Sequence, residues 1–120
     1  MSCPVFFILY VADTANSADF YARHFGGKVG DVSETFGTVA LNDGAILGLW
    51  KRDTVAPSPT GAVGAVEIAQ NIGDAVALDS RHAALAAAGV SIMQPPVDMP
   101  FGRNFVVSDP DGHRIRFMAA

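Results

Sequence analysis

The sequence predicts an α+β fold made of two βαβββ modules, and an internal repeat is the main observation behind this prediction. Residues 36–50 and 101–118 share one order of features: an FG pair, a strand rich in β-branched residues, an Asp-Gly turn and a returning strand. Turn residues of this kind between apolar segments are typical of β-hairpins. An apolar strand and an amphipathic helix precede each hairpin, so the complete order occurs twice.

The first module starts with an apolar run, VFFILYVA, that is rich in β-forming residues and too short for a buried helix. Asp13 or Thr14 offers an N-cap for the following helix, and Gly26-Gly27 ends it. The stripe of this helix that should be buried comprises Ser17, Ala18, Tyr21 and Phe25. We expect strands at about 5–12, 28–32, 38–42 and 46–51, with the helix over 15–24.

The second module repeats this order after a linker, DTVAPSPTGAVG at residues 53–64, whose Pro, Gly and Ser content shows no periodicity. Asp74 is a second N-cap, for a helix that ends near Gly89 and has Leu78, His82, Leu85 and Ala86 on one face. We expect strands at 65–70 and from 91 to 93, followed by the hairpin of residues 101–118. The modules span about 4–52 and 62–120 of one domain.

The three histidines predict no catalytic role. His24 lies near the end of the first helix, where the helix dipole favours a positive charge. His82 lies on an apolar stripe and is interpreted as a packed residue. His113 follows a turn and is expected to face solvent or to cap the hairpin.

Composition limits the classes of partner and the cellular compartment. The 120 residues are 50% hydrophobic and carry a net charge of −4, which does not favour binding to nucleic acid or to an anionic membrane. Cys3 is the only cysteine, so neither an internal disulfide nor a thiolate cluster within one chain is possible. The N-terminus has no signal-peptide pattern and no membrane-spanning run. We expect a soluble, cytoplasmic protein.

The paired βαβββ order, the stretch YVADTANSADFY at residues 10–21 and the closing Asp-Pro-Asp-Gly hairpin together resemble the vicinal oxygen chelate superfamily. This superfamily includes glyoxalase I, extradiol dioxygenases, fosfomycin resistance proteins and bleomycin-binding proteins. The resemblance covers essentially the whole chain and implies a cupped mixed β-sheet with the helices on its outer face. It is fairly specific for fold and poorly specific for activity.

The resemblance also implies where a metal would bind. In catalytic members, four side chains from the first and last strands of the two modules bind a divalent metal. The internal repeat places these positions at Phe6, Gly48, Glu67 and Arg116. Phenylalanine and glycine donate no ligand atom, arginine brings a positive charge, and Glu67 alone is too few. We therefore predict no metal and no other cofactor, and with it no metal-assisted chemistry.

The same positions suggest a binding cavity. Gly48 and Trp50 lie on one face of a strand, so a flat slot beside the indole could accept an aromatic ligand, although Trp50 filling the core is the alternative. Phe6, Tyr10 and Met118 would extend an apolar wall. Glu67 and Arg116 would pair with each other or with a charged ligand.

Arg103 follows Pro100-Phe101-Gly102, where a loop could bring its guanidinium to the cavity mouth. The alternative is a surface arginine that bonds neighbouring carbonyls. The predicted ligand-binding residues are Phe6, Tyr10, Gly48, Trp50, Glu67, Arg103, Arg116 and Met118.

Within the superfamily the chain looks most like the metal-free antibiotic-binding branch. The similarity lies in Ile-Leu-Gly-Leu-Trp at 46–50, Pro-Phe-Gly-Arg at 100–103 and the Asp-Pro-Asp-Gly-His-x-Ile-Arg ending. It implies a homodimer whose chains share their cavities and a drug-sequestering function that confers resistance without catalysis. Two alternatives remain: a metal-dependent lyase, isomerase or dioxygenase with an unusual ligand set, and a cofactor-independent enzyme with Glu67 as general base.

Overall fold

The computed structural model describes residues 6–119, apart from the side chain of Asp43. The chain divides into two compact units, Met1–Gly61 and Ala62–Ala120. The described residues form two helices and eight strands, with one helix and one four-stranded sheet in each unit. This confirms the predicted α+β class with two βαβββ modules. Cys3 and the first residue of the predicted 5–12 strand lie outside the described residues.

The first unit has the element order that the sequence predicts. It contains β1 (Phe7–Val11), α1 (Thr14–Phe25), β2 (Lys28–Val32), β3 (Phe36–Ala40) and β4 (Ile46–Lys51). The strand order is β1-β4-β3-β2, in which β1 runs parallel to β4 and the remaining pairs are antiparallel. A short 3-10 turn at Asn42–Gly44 joins β3 to β4.

Helix α1 covers one face of the first sheet. Its N-cap is Asp13, whose carboxylate accepts a hydrogen bond from the Asn16 backbone N–H at 3.0 Å. Gly26 at the C-cap has φ of 66°, a left-handed conformation that glycine adopts without strain. The predicted stripe is confirmed, and Thr14 belongs to it as well. The core beneath this helix contains Val11, Val39, Leu47 and Leu49.

The second unit repeats the arrangement. It contains β5 (Glu67–Asn71), α2 (Ala75–Ala87), β6 (Ser91–Met99), β7 (Gly102–Ser108) and β8 (Arg114–Ala119). The strand order β5-β8-β7-β6, with β5 parallel to β8, matches that of the first sheet. Asp74 caps α2 by accepting the Ala77 backbone N–H at 2.8 Å. The core under α2 contains Phe105, Val107, Ile115 and Phe117.

Helix α2 buries less of its predicted stripe than α1 does. Leu78 and Leu85 are buried, whereas Ala86 is exposed, so its inclusion in the stripe was wrong. His82 packs its ring edge against Phe105 at 5.3 Å between centroids, which confirms its interpretation as a packed residue. Neither helix is long and apolar enough to cross a membrane among the residues that the structure describes.

Three element boundaries differ from the sequence prediction. Strand β6 runs on from residue 93 to Met99, through Pro95 and Pro96. Proline lacks a backbone donor, and it is tolerated here because β6 lies at the end of the strand order and carries two register shifts. Strand β3 begins at Phe36 rather than at residue 38, and β5 begins at Glu67 rather than at residue 65.

The dipole interpretation of His24 was wrong about which effect dominates. Partial burial lowers the pKa of His24, and the neighbouring Arg23 charge lowers it further, whereas Asp19 raises it. The ring packs edge-on against Phe20 with 4.9 Å between centroids. Loss of water around the ring therefore outweighs the favourable field at the helix end.

Candidate functional site

One face of the first sheet is apolar and is not the face that α1 covers. Side chains of paired residues on adjacent strands share a face, and the register pairs Ile8 with Gly48, and both Tyr10 and Phe36 with Trp50. We call this surface the aromatic face; it consists of Ile8, Tyr10, Phe36, Ile46, Gly48 and Trp50. Ile8 is 41% exposed and Ile46 is 38% exposed. Exposed apolar side chains gathered on one surface are typical of binding sites.

Trp50 lies at the centre of an aromatic cluster. The Tyr10 ring packs edge-on against the indole, with 6.3 Å between centroids and 82° between planes. The Phe36 ring packs against the indole at 6.3 Å and 67°. Both arrangements fall within the favourable range for edge-to-face pairs. Trp50 remains half-buried.

The slot predicted beside Trp50 at Gly48 is filled by the protein itself. A Cβ atom on Gly48 would lie 2.9 Å from Phe36 Cζ and 3.2 Å from Ile8 Cγ1. The Phe36 ring therefore covers the position where Gly48 has no side chain. Sequence reasoning missed Phe36, because this contact depends on the register between β3 and β4. The signal was an aromatic residue close to a cross-strand glycine, a recurrent pairing in sheets.

In the second unit, Glu67 and Arg116 form the ion pair that the sequence suggested as one possibility. Arg116 Nε donates to Glu67 Oε1 at 2.7 Å and Nη2 donates to Oε2 at 3.2 Å, so the contact is bidentate. The arginine side chain is 17% exposed and the glutamate side chain 35% exposed. The hydrogen bonds from Arg116 lower the pKa of Glu67 and outweigh the opposing effect of burial.

Asn104 holds the remaining end of the arginine. Its Oδ1 accepts hydrogen bonds from Arg116 Nη1 at 2.6 Å and from Gln94 Nε2 at 3.2 Å. Its Nδ2 donates to the backbone carbonyls of Val97 and Gly102, and the residue is fully buried. Sequence reasoning missed Asn104 and Gln94. An asparagine within a predicted strand was the available signal, because asparagine is depleted there.

Arg103 and Met118 lie in different places in the second unit. Arg103 is on the α2 side of β7, where Nε donates to Asp79 of α2 at 2.9 Å and Nη1 donates to Asp98 at 3.3 Å. These two hydrogen bonds raise the pKa of Arg103 above its already high value. Met118 pairs with Asn104 in the sheet and is half-buried. The structure thus brings Met118 close to the Arg116 network and directs Arg103 to other carboxylates.

The predicted site residues fall into two groups. Phe6, Tyr10, Gly48 and Trp50 belong to the first unit, and Phe6, one residue before β1, is 48% exposed. Glu67, Arg103, Arg116 and Met118 belong to the second. Their joint role in lining one cavity stays a prediction.

The first unit also has an open cavity of about 410 Å³ at the N-terminus of α1, lined in part by Asp13, Thr14, Ser33 and Lys51. It includes none of the predicted residues. Its most buried hydroxyl, that of Thr14, donates to the Ser33 carbonyl at 2.6 Å.

The residues at the four metal positions do not fit a metal ion. Phe6 and Gly48 have no donor atom, and both carboxylate oxygens of Glu67 accept hydrogen bonds from Arg116. A cation of the protein thus occupies the place of a second acidic ligand. Across residues 6–119, no group of three or more His, Cys, Asp or Glu side chains is arranged to hold a metal.

Comparison with known proteins decides the family. The model of the Glyoxalase/Bleomycin resistance protein/Dioxygenase superfamily matches residues 5–117. The chain belongs to this superfamily. A search of curated proteins gave no significant match.

Solved structures of the superfamily fold agree with this assignment. A protein of Agrobacterium tumefaciens solved by solution NMR is 38% identical, with a TM-score of 0.86 over 99% of this chain and 98% of that one. A glyoxalase-related enzyme from Fulvimarina pelagi is 24% identical, with a TM-score of 0.82 over 100% and 89%. A lactoylglutathione lyase from Agrobacterium tumefaciens is 19% identical, with a TM-score of 0.76 over 100% and 95%. The last two show the fold alone. Membership of the metal-free branch of the superfamily stays a prediction.

Proposed function

We propose that this protein binds a small, planar aromatic or antibiotic-like ligand on the aromatic face and holds it without converting it. The observation that carries this proposal is the aromatic face itself, with a half-buried tryptophan between two other rings and exposed isoleucines at its margin. None of its six residues is ionised at neutral pH, which suits an uncharged ring system. Stacking on such rings contributes about 0.5–1.5 kcal/mol per pair beyond burial.

The polar network of the second unit favours binding over catalysis. A general base at neutral pH needs a pKa near 7, whereas Arg116 lowers the pKa of Glu67. Both oxygens of that carboxylate already accept hydrogen bonds from the guanidinium. Proton abstraction by Glu67 would first have to break this contact. The residues at the metal positions support no metal-assisted route either.

The physiological role that follows is sequestration of a drug. A protein that binds a toxic compound and releases it unchanged lowers the free concentration of that compound, which confers resistance. We propose this role together with a homodimer that shares its cavities between chains. Both rest on the predicted metal-free branch, and neither changes the binding experiment below.

Fluorescence of Trp50 tests the proposal, because Trp50 is the only tryptophan in the chain. The metal-free protein is titrated with planar aromatic antibiotics and metabolites, and Trp50→Phe measures the background. We expect saturable quenching that approaches one ligand per chain, and mass spectrometry should recover the ligand unchanged. A flat response to a chemically broad panel would contradict the proposal. Turnover that disappears in Glu67→Gln while binding persists would instead identify an enzyme.

A further inference from the structure

We infer that Phe36 is an internal occupant of the aromatic face and that its ring selects fused-ring ligands over single rings. The inference rests on the proposed binding at Trp50. The Phe36 ring already makes the contacts that a small ligand would make: it lies edge-on to Trp50 at 6.3 Å and covers Gly48. Gly48 thus makes room for a protein side chain.

The backbone of Phe36 is fixed, so the side chain is the part that must move. Phe36 pairs with Trp50 in the β3–β4 register. At the turn before β3, the Phe36 N–H donates to Ser33 Oγ at 3.1 Å, and its carbonyl accepts the Ser33 N–H at 2.8 Å. A ligand that takes the place of the ring therefore requires a rotation of the side chain about its own bonds rather than a movement of the strand.

The balance of contacts then sets the size of ligand. A single-ring compound that replaces Phe36 gains about the contacts that the Phe36 ring loses, and it also loses the entropy of association. A fused-ring compound keeps additional area for the exposed neighbours Ile8 and Ile46. Displacement of Phe36 is thus favourable only for the larger ring system. Phe36 is by this argument a specificity-determining residue.

Phenol tests the inference, because it matches the size of the ring that would be removed. The single tryptophan gives one indole N–H resonance in a ¹H–¹⁵N NMR spectrum, which reports binding at Trp50 directly. We compare wild type with Phe36→Ala, and with Phe36→Leu in case the alanine variant does not fold. Phe20→Ala is the matched control, because Phe20 is also half-buried and packs on two rings, those of Tyr21 and His24.

We expect phenol to bind Phe36→Ala at least about tenfold more tightly than wild type, since an apolar space left by a ring binds a small aromatic compound. Phe36→Leu should show a smaller gain, and Phe20→Ala should match wild type. Equal phenol affinities in wild type and the folded Phe36 variants would overturn the inference, even where the antibiotic panel binds wild type. A gain in phenol binding together with a wild type that ignores the whole panel would support the inference and overturn the proposed function.

Discussion

At the scale of single residues, the bidentate contact between Glu67 and Arg116 links stability to acid pH. The folded protein holds the pKa of Glu67 below its ordinary value of 4.5 through hydrogen bonds from Arg116. The unfolded chain therefore takes up the proton at a higher pH than the folded chain does. The stabilisation is fully present above about pH 4.5, and it is lost as the pH falls through the lowered value.

Urea unfolding of wild type and Glu67→Gln between pH 3 and pH 7 measures this effect. We expect wild type to be more stable at neutral pH by about 1 kcal/mol or less, because solvent screens a carboxylate that is 35% exposed. The difference should shrink as the pH falls below about 4.5. A difference independent of pH would contradict the assigned ion pair.

Asn104 contributes more to stability than the ion pair that it supports. Asn104→Ala leaves Arg116 Nη1 and Gln94 Nε2 without their acceptor, and it leaves the Val97 and Gly102 carbonyls without this donor. We expect a loss of about 2–4 kcal/mol in the free energy of unfolding, because buried polar groups would lose their partners. Chemical denaturation measures it, with the exposed Asn16→Ala as a control that changes little. Equal effects of the two substitutions would show that the network has no special weight.

The contact between Phe36 and Gly48 predicts that their substitutions are not additive. Gly48→Ala places a methyl group 2.9 Å from Phe36 Cζ, so the ring must shift, at a cost of about 1–3 kcal/mol. In the Phe36→Ala background that obstacle is absent, and the same substitution should be neutral or slightly stabilising. A double-mutant cycle of unfolding free energies measures the difference. Additive effects within about 0.3–0.5 kcal/mol would mean that the two residues do not interact.

At the scale of elements, the two helices begin in the same way in both units. Asp13 and Asp74 each accept the backbone N–H three residues later, at 3.0 and 2.8 Å. We expect Asp→Ala at either position to cost about 1 kcal/mol, whereas Asp→Asn retains most of the stability because asparagine also caps well. Thermal unfolding of the four variants compares them. An asparagine variant as unstable as its alanine counterpart would attribute the effect to charge rather than to capping.

The sequence predicted elements wherever a local signal determines structure. Asp13 and Asp74 mark the helix starts, and the stripe of α1 follows from helical periodicity. The prediction ended β6 too early because Pro95 and Pro96 resemble a chain break, whereas a strand at the end of a sheet tolerates proline. Such errors occur where the position of a strand within its sheet overrides local preference.

At the scale of the whole molecule, the internal repeat made the fold predictable, because the same order of elements is encoded twice. The candidate site was predictable only in part. Strand alternation correctly places Tyr10, Gly48 and Trp50 on one face. The roles of Phe36 and Asn104 depend on cross-strand register, which periodicity within one segment does not contain.

The donor chemistry of the whole chain leads to a prediction about metal ions. A metal that binds only the folded state raises the unfolding temperature in proportion to the logarithm of its concentration. Of the four family metal positions, only Glu67 carries a donor, and Arg116 already engages both of its oxygens. We therefore expect no change in Tm when Ni²⁺, Zn²⁺ or a chelator is added to untagged protein.

Differential scanning calorimetry of wild type and Glu67→Gln makes this prediction specific. A rise in Tm that persists in Glu67→Gln would reflect binding elsewhere on the surface. A rise that requires Glu67 would show that a metal displaces Arg116 from the carboxylate, and would contradict the predicted absence of a metal. That result would favour a metal-dependent enzyme, since the guanidinium would then be a ligand-controlled partner of Glu67 rather than its permanent one.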